Sequence, residues 1–396
     1  MKILFLSRWF PYPPDNGSKI RIFNILRQLS AAHDVSLVSF ADDPASVEDA
    51  ALSVLRRFCS SVQVVPYRPF RPSSARALAG LLSSAPRFLV DTYSQEMQAA
   101  ADDQLVRSSV DLLVVSQLDM VPYAVAGPAV PTLLEELELS LHRDAARAGG
   151  VASRPRRMLT WLKLRSYLRR VLPRFAACTV ASERERLNLR AAVPTYRRAE
   201  VVPNAVDLGH YDGDFGSPRP NVLAFAGSLT YHANYDAIRS FLGAAYPAIA
   251  HSIPGVELRV TGSHAGVDLK ALPDAPGVTF TGRVPDVRPV VAGAWASVVP
   301  LRVGGGTRLK ILESMALGTP VVSTSKGAEG LDVTHGENIL IADHPDDFAA
   351  QVVSLLRSPQ LRARLAAGGR RLVASRYDWN AVGADLSALV HRVAAC

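Results

Sequence analysis

Residues 299–331, VPLRVGGGTRLKILESMALGTPVVSTSKGAEGL, set out a strand, a glycine turn and a helix in immediate succession. The apolar run at 296–300 predicts a short buried strand. After it Gly304, Gly305 and Gly306 let the backbone bend and come close to a ligand without Cβ interference. Thr307 fits a helix N-cap, TRLKILESMAL reads as the helix, and Gly318 followed by Pro320 stops it. Such a turn is an anion site, because free N–H groups and the positive end of the helix dipole face one point. Arg308 and Lys310 stand in the first turn, where cations oppose the dipole, so their presence points to a ligand with more than one negative charge. Glu313 is six positions beyond Thr307. At ~1.5 Å per residue that is roughly 9 Å along the axis, too far for the same phosphate and suited to a neighbouring sugar diol. Phosphate and diol together describe a nucleotide diphosphate, and the simplest such ligand with a group to transfer is a nucleotide sugar.

Working outward, strand and helix signals alternate along the chain. Strands are predicted at 2–6, 35–40, 62–65, 111–115 and 132–134, with a helix at 18–31; a second series follows at 222–225, 257–261, 278–281 and 296–300. This order predicts an α/β protein with parallel sheets covered by helices on both faces. Between the first strand and helix lies PYPPDNGSKIR, residues 11–21, a shaped loop at the carboxyl end of a strand, where open α/β sheets bind ligands. Gln117 and Asp119 follow another strand and read as turn-capping residues; Glu135, Glu136 and Glu138 read as a solvated helix start or as partners of an acceptor hydroxyl. Glu329 fits either a donor-side role near a helix start or an N-terminal capping carboxylate.

The GGGTRLK–ILESMALGTPVVST–GAEGL run resembles the donor-binding segment of the retaining glycosyltransferases of family four, in particular bacterial polysaccharide-type sugar transferases. VVPNAVD at 201–207, FAGSLTYHANYDAI at 225–238, GRVPDV at 282–287 and RYDWNAV at 376–382 extend the similarity over nearly the whole chain, most strongly after residue 200. The resemblance implies a GT-B fold: two Rossmann-like domains facing each other across a cleft, with a C-terminal helix crossing back. It implies an acceptor-side domain at 1–200, a linker at 201–220, a nucleotide-sugar domain at 221–376 and the returning helix at 377–396. It assigns leaving-group charge to Arg308 and Lys310, with donor binding by Gly304, Gly305, Gly306, Thr307, Glu313 and Glu329. Arg283 and Val284 lie by resemblance near the base, and Gly17, Ser18, Lys19 and Gln117 on the acceptor side. Two departures stand out. The family's E-x7-E pair has only its second carboxylate, Glu313, with Gly305 at the first position. Ser228 and Asn234 occupy the neighbourhood where many members carry an Arg and a Lys. No D-x-D motif stands out and the family generally dispenses with metal, so neither metal nor cofactor is expected.

Composition fits this reading. With 48% hydrophobic residues the chain can bury substantial cores, which argues against disorder. Cys59, Cys178 and Cys396 are far apart and lack a C-x-x-C pattern, so neither a disulfide framework nor a zinc site is expected, and a cytoplasmic setting is. Arg8 interrupts the first apolar run too early for a signal peptide, and no apolar span reaches the ~18 residues that cross a bilayer. A net charge of +8 favours anionic partners. Nucleic acid is not expected, for want of any recognisable binding motif. The basic stretch 154–175 reads as an amphipathic helix. Trp161, Leu164, Leu168, Val171, Leu172 and Phe175 form a stripe packed inward, leaving Lys163, Arg169, Arg170 and Arg174 to meet an anionic membrane at its inner face. The expected function is retaining transfer of a sugar to a glycan, lipid-linked or small-molecule acceptor. The rivals are a nucleotide-sugar epimerase and a non-catalytic nucleotide- or membrane-binding protein of polysaccharide assembly.

Overall fold

The computed structural model describes residues 1–125, 130–147, 154–306 and 308–395. The chain divides into two compact units, Met1–Pro203 together with Val382–Cys396, and Asn204–Ala381.

Seven strands build the first unit among the described residues: β1 (Lys2–Ser7), β2 (Asp34–Ala41), β3 (Ser61–Pro66), β4 (Leu112–Ser116), β5 (Thr132–Glu135), β6 (Ala177–Val180) and β7 (Ala199–Val201). All pair in parallel, in the order β3-β2-β1-β4-β5-β6-β7, with Ile3 beside Leu112 and Ser7 beside Ser116. The central strands are apolar at consecutive positions because helices cover both faces; Ile3 to Leu6 and Leu112 to Val115 are all buried. In the second unit β8 (Arg219–Ala226), β9 (Glu257–Thr261), β10 (Val278–Gly282), β11 (Ala294–Val299), β12 (Val321–Ser323) and β13 (Leu340–Ile341) form a parallel sheet ordered β10-β9-β8-β11-β12-β13. Its core joins Phe225, Val298 and Val299 of the sheet to Ile311, Leu312 and Met315 of the Leu309–Ala316 helix. The fold is therefore the two-Rossmann-like α/β architecture that the alternation predicts.

Two expectations change. Glu135 is no solvated helix start: it ends β5 at 0% exposure, where Arg21 Nε meets its Oε1 at 2.6 Å and Ser116 Oγ donates to its Oε2 at 2.8 Å. A carboxylate buried this way is held by a cation 114 residues away in the chain, a pairing no local pattern reveals. The basic helix spans Arg154–Val171 and passes into a tighter turn at Leu172–Arg174. Its stripe residues Leu164, Leu168, Val171, Leu172 and Phe175 pack into the first unit's core as the spacing predicts. Its C-terminal arginines do not simply face water: Arg169 Nε, Arg170 Nη2 and Arg174 Nη1 donate to the carbonyls of Ala192, Ser84 and Val125.

Candidate functional site

Strand order reverses between β8 and β11 in the second unit and between β1 and β4 in the first. At such switch points the loops leaving the carboxyl ends part and open a crevice. In the second unit those loops begin at Gly227 and at Pro300.

Gly304 has φ +102, and a Cβ there would lie 3.0 Å from Tyr231 Oη and 3.3 Å from Arg308 Nη2. The positive φ calls for glycine, and the close side chains leave little room for more. The helix starts at Leu309, with Arg308 in the cap position and no side-chain cap bond. The cap thus falls one residue later than the spacing predicts, and Arg308 precedes the first turn; its side chain is drawn inward, leaving the residue 7% exposed. Thr307 lies outside the described residues.

Lys310 is in the first turn. Its Nζ donates to Asn234 Oδ1 at 2.9 Å and stands 4.3 Å from the centroid of the Phe225 ring. Asn234 Nδ2 donates to the carbonyl of Ser228 at 2.8 Å, and Ser228 Oγ donates to the carbonyl of Ser263 at 2.9 Å. Ser228, Asn234 and Lys310, separate in sequence, are thereby one hydrogen-bonded series. Gly227 makes room for it, since a Cβ there would fall on Lys310 Nζ and Asn234 Nδ2. Loss of water and then the neighbouring Arg308 charge bring the Lys310 ammonium down to about 7, with Glu313 opposing.

One turn further along, Glu313 Oε1 accepts from Tyr211 Oη at 3.2 Å. Burial lifts this carboxyl above its usual range, while the Tyr211 bond and Lys310 draw it back. Tyr211 comes from the short turn Leu208–Tyr211, which Arg288 secures by donating to the carbonyl of His210 at 2.6 Å while bound to Asp286. Tyr211 falls in the linker expected at 201–220; its sequence signal is an aromatic residue where a linker has no need of one. Asp286 is in the GRVPDV motif, whereas Arg283 of the same motif is exposed and Val284 half-buried. Glu329 is not near a helix start: 325–330 form turns, and its carboxylate is ion-paired with Lys326 within them.

In the first unit, Asn16 caps the Gly17–Ser30 helix by accepting from the Lys19 amide at 3.1 Å, and Lys19 Nζ pairs with Asp15 at 3.0 Å. Gln117, with φ +72, does not cap its turn; its Nε2 donates to Ser18 Oγ at 3.1 Å and Glu136 Oε2 at 2.9 Å. Gly17, Ser18, Lys19 and Gln117 are thus gathered at the β1/β4 switch point. Sequence reasoning passed over the cavity beside them, about 420 Å³, whose lining includes Arg8, Trp9, Tyr12, Lys19 and Asp42. Arg8 pairs with Asp42 at 2.9 Å and lies 3.2 Å from the Tyr67 ring centroid and 4.2 Å from that of Trp9. The signal was RWFPY at 8–12, aromatic residues and a cation directly after a strand.

Residues 220–358 match the family model described as "Glycosyl transferases group 1". A 44.6 kDa uncharacterized protein in the cps region of Klebsiella pneumoniae is 24% identical over 166 residues, 40% of this chain and 42% of that protein. A GDP-mannose-dependent alpha-(1-6)-phosphatidylinositol monomannoside mannosyltransferase of Mycobacterium tuberculosis is 26% identical over 249 residues, 56% of this chain and 63% of the relative. The chain thus spans less than two thirds of the length of either curated relative. Among solved structures, Anabaena Alr3699/HepE in complex with UDP aligns over 99% of this chain and 100% of that one at 15% identity, with a TM-score of 0.68. The fold is GT-B.

Proposed function

We propose that the protein is a retaining, metal-independent glycosyltransferase of family four that moves a hexose from a nucleotide diphosphate sugar to a glycan, lipid-linked or small-molecule acceptor. The observation that carries this reading is the convergence of a glycine turn, Arg308, Lys310 and Glu313 on the β8/β11 switch point, inside the segment that matches the glycosyltransferase family model. As the bond from the anomeric carbon to the β-phosphate oxygen breaks, negative charge collects on that phosphate. Arg308, Lys310 and the amides around Gly305 and Gly306 stabilise it. Lys310 and Arg308 supply the positive charge that a divalent cation contributes at other diphosphate sites. Glu313, steadied by Tyr211, accepts the ribose hydroxyls. Arg283 and Val284 flank the base, and Glu329 stays a donor-side residue through its turn. The departing phosphate takes the proton of the acceptor hydroxyl as that oxygen bonds to the anomeric carbon on the same face. Acceptor contacts belong to Ser18, Lys19, Gln117 and the Arg8–Trp9 cavity. A lipid-linked acceptor would be met at an anionic bilayer by the 154–175 region.

A thermal-shift panel of uridine, guanosine and thymidine diphosphates and their sugars tests donor binding. At ~100 times its dissociation constant the true donor should stabilise by about 2.7 kcal/mol. Transfer to an acceptor panel should then persist undiminished in EDTA. Isomerised donor in the absence of acceptor would instead identify an epimerase, and binding without any transfer a nucleotide-binding assembly protein.

The lowered pKa of Lys310 adds a pH signature. An adjacent diphosphate favours its charged form, so at pH 8 binding should take up close to one proton. Affinity should fall by up to about tenfold per pH unit above 7, until the pKa of the bound form is reached. Calorimetry in buffers of different ionisation enthalpy measures this uptake. A buffer-independent heat, or an uptake that survives in Lys310→Met, would show that the proton goes elsewhere.

A further inference from the structure

We infer that the first unit carries an edge that inserts into anionic lipid bilayers, made by the leucines of 78–82 and the outer face of the Arg154–Val171 helix. It deepens the membrane contact proposed above and is independent of the donor chemistry. Among the described residues eleven large apolar side chains are exposed, and six of them are Leu78, Leu81, Leu82, Met158, Leu159 and Leu162; Leu82 is 95% exposed. The helix has two apolar faces. Leu164, Leu168 and Val171 enter the core, whereas Met158, Leu159 and Leu162 recur at one-turn spacing on a face left exposed among the described residues. Lys163 ties the two segments together: its Nζ donates to the carbonyls of Gly80, Leu81 and Ser83, and Arg170 reaches that of Ser84. The leucine turn is thereby fastened beside the exposed helical face. Exposed apolar groups gathered in this way mark a surface that meets another apolar phase.

Charge selects the occupant. Residues 66–90 and 154–174 contain twelve Arg and Lys and no Asp or Glu. The rest of the chain has 32 cations and 36 acids, so the net basicity of the protein resides in these two segments. An isologous contact with a second copy would press two such cationic surfaces together, which is unfavourable. Anionic headgroups above a hydrocarbon phase complement both the charge and the leucines.

Sedimentation of the full chain with vesicles, without nucleotide or acceptor, tests this apart from any enzymatic reading. Binding to phosphatidylcholine vesicles containing one part in three phosphatidylglycerol should be strong, and binding to phosphatidylcholine alone at least ~10-fold weaker. Leu82→Ser and Leu159→Ser should each weaken binding about tenfold. Arg156→Gln should weaken it about fivefold on anionic vesicles only. Since these side chains are exposed, unchanged circular dichroism is expected and confirms folding. Equal binding by Leu82→Ser, or no binding to anionic vesicles, overturns the inference. So does a dimer in lipid-free sedimentation velocity that Leu82→Ser dissolves.

Discussion

Lys310→Ala should lower turnover by about 10²-fold or more at saturating donor, with a much smaller change in KM. The side chain is fixed before any ligand arrives: Asn234 holds it from one side and the Phe225 ring lies beneath it. A pre-positioned cation of this kind interacts more strongly with the developing phosphate charge than with the ground-state ester. Because burial has already pushed its pKa down, its full charge appears when the diphosphate is in place. Lys310→Arg should not rescue, since the planar guanidinium cannot occupy the space that Gly227 keeps free for an ammonium. The measurement is steady-state kinetics with kcat and KM resolved. A rise in KM alone would confine Lys310 to donor binding, and full activity would remove it from the mechanism.

Arg21→Leu should destabilise the first unit by about 3–5 kcal/mol, the cost of leaving a buried carboxylate without its cation. Both Arg21 and Glu135 have side chains at 0% exposure. Glu135 retains Ser116, whose hydroxyl cannot balance a full charge in a site closed to bulk solvent. Calorimetric unfolding should show the loss, and Arg21→Leu combined with Glu135→Leu should recover much of it, because two apolar residues leave no orphaned charge. If the double variant is as unstable as the single one, the pair is not the source of the effect. The Ser18–Gln117–Glu136 group lies directly over this pair, with Glu136 Oε1 3.6 Å from Arg21 Nε. A loosened pair should therefore disturb the acceptor side as well.

The sheet was readable from sequence wherever a strand is buried on both faces, as in ILFL at 3–6 and LLVV at 112–115, because unbroken apolar runs have few other uses in a parallel fold. The glycines, cations and carboxylate of the second unit were readable because turn, charge and helix position agree locally. What escaped depends on residues distant in the chain. Tyr211 is 102 positions from Glu313, and Arg21 is 114 from Glu135. The helix cap falls one residue later than the spacing predicts, at a buried arginine that makes no side-chain cap bond, because helix ends are the least locally determined part of an element. The leucines at 78–82 form no periodic pattern that separates core from surface; their exposure appears only in the structure.

The last helix, Trp379–Ala394, begins in the second unit and continues in the first from Val382 onward. There Leu386, Leu389, Val390 and Val393 are buried and His391 meets the ring of His33 at 5.1 Å. On the ribosome, residues 1–203 therefore keep an uncovered flank until the whole of the other unit has emerged. Residues 204–381 are thus all made before residues 1–203 receive the helix that covers them.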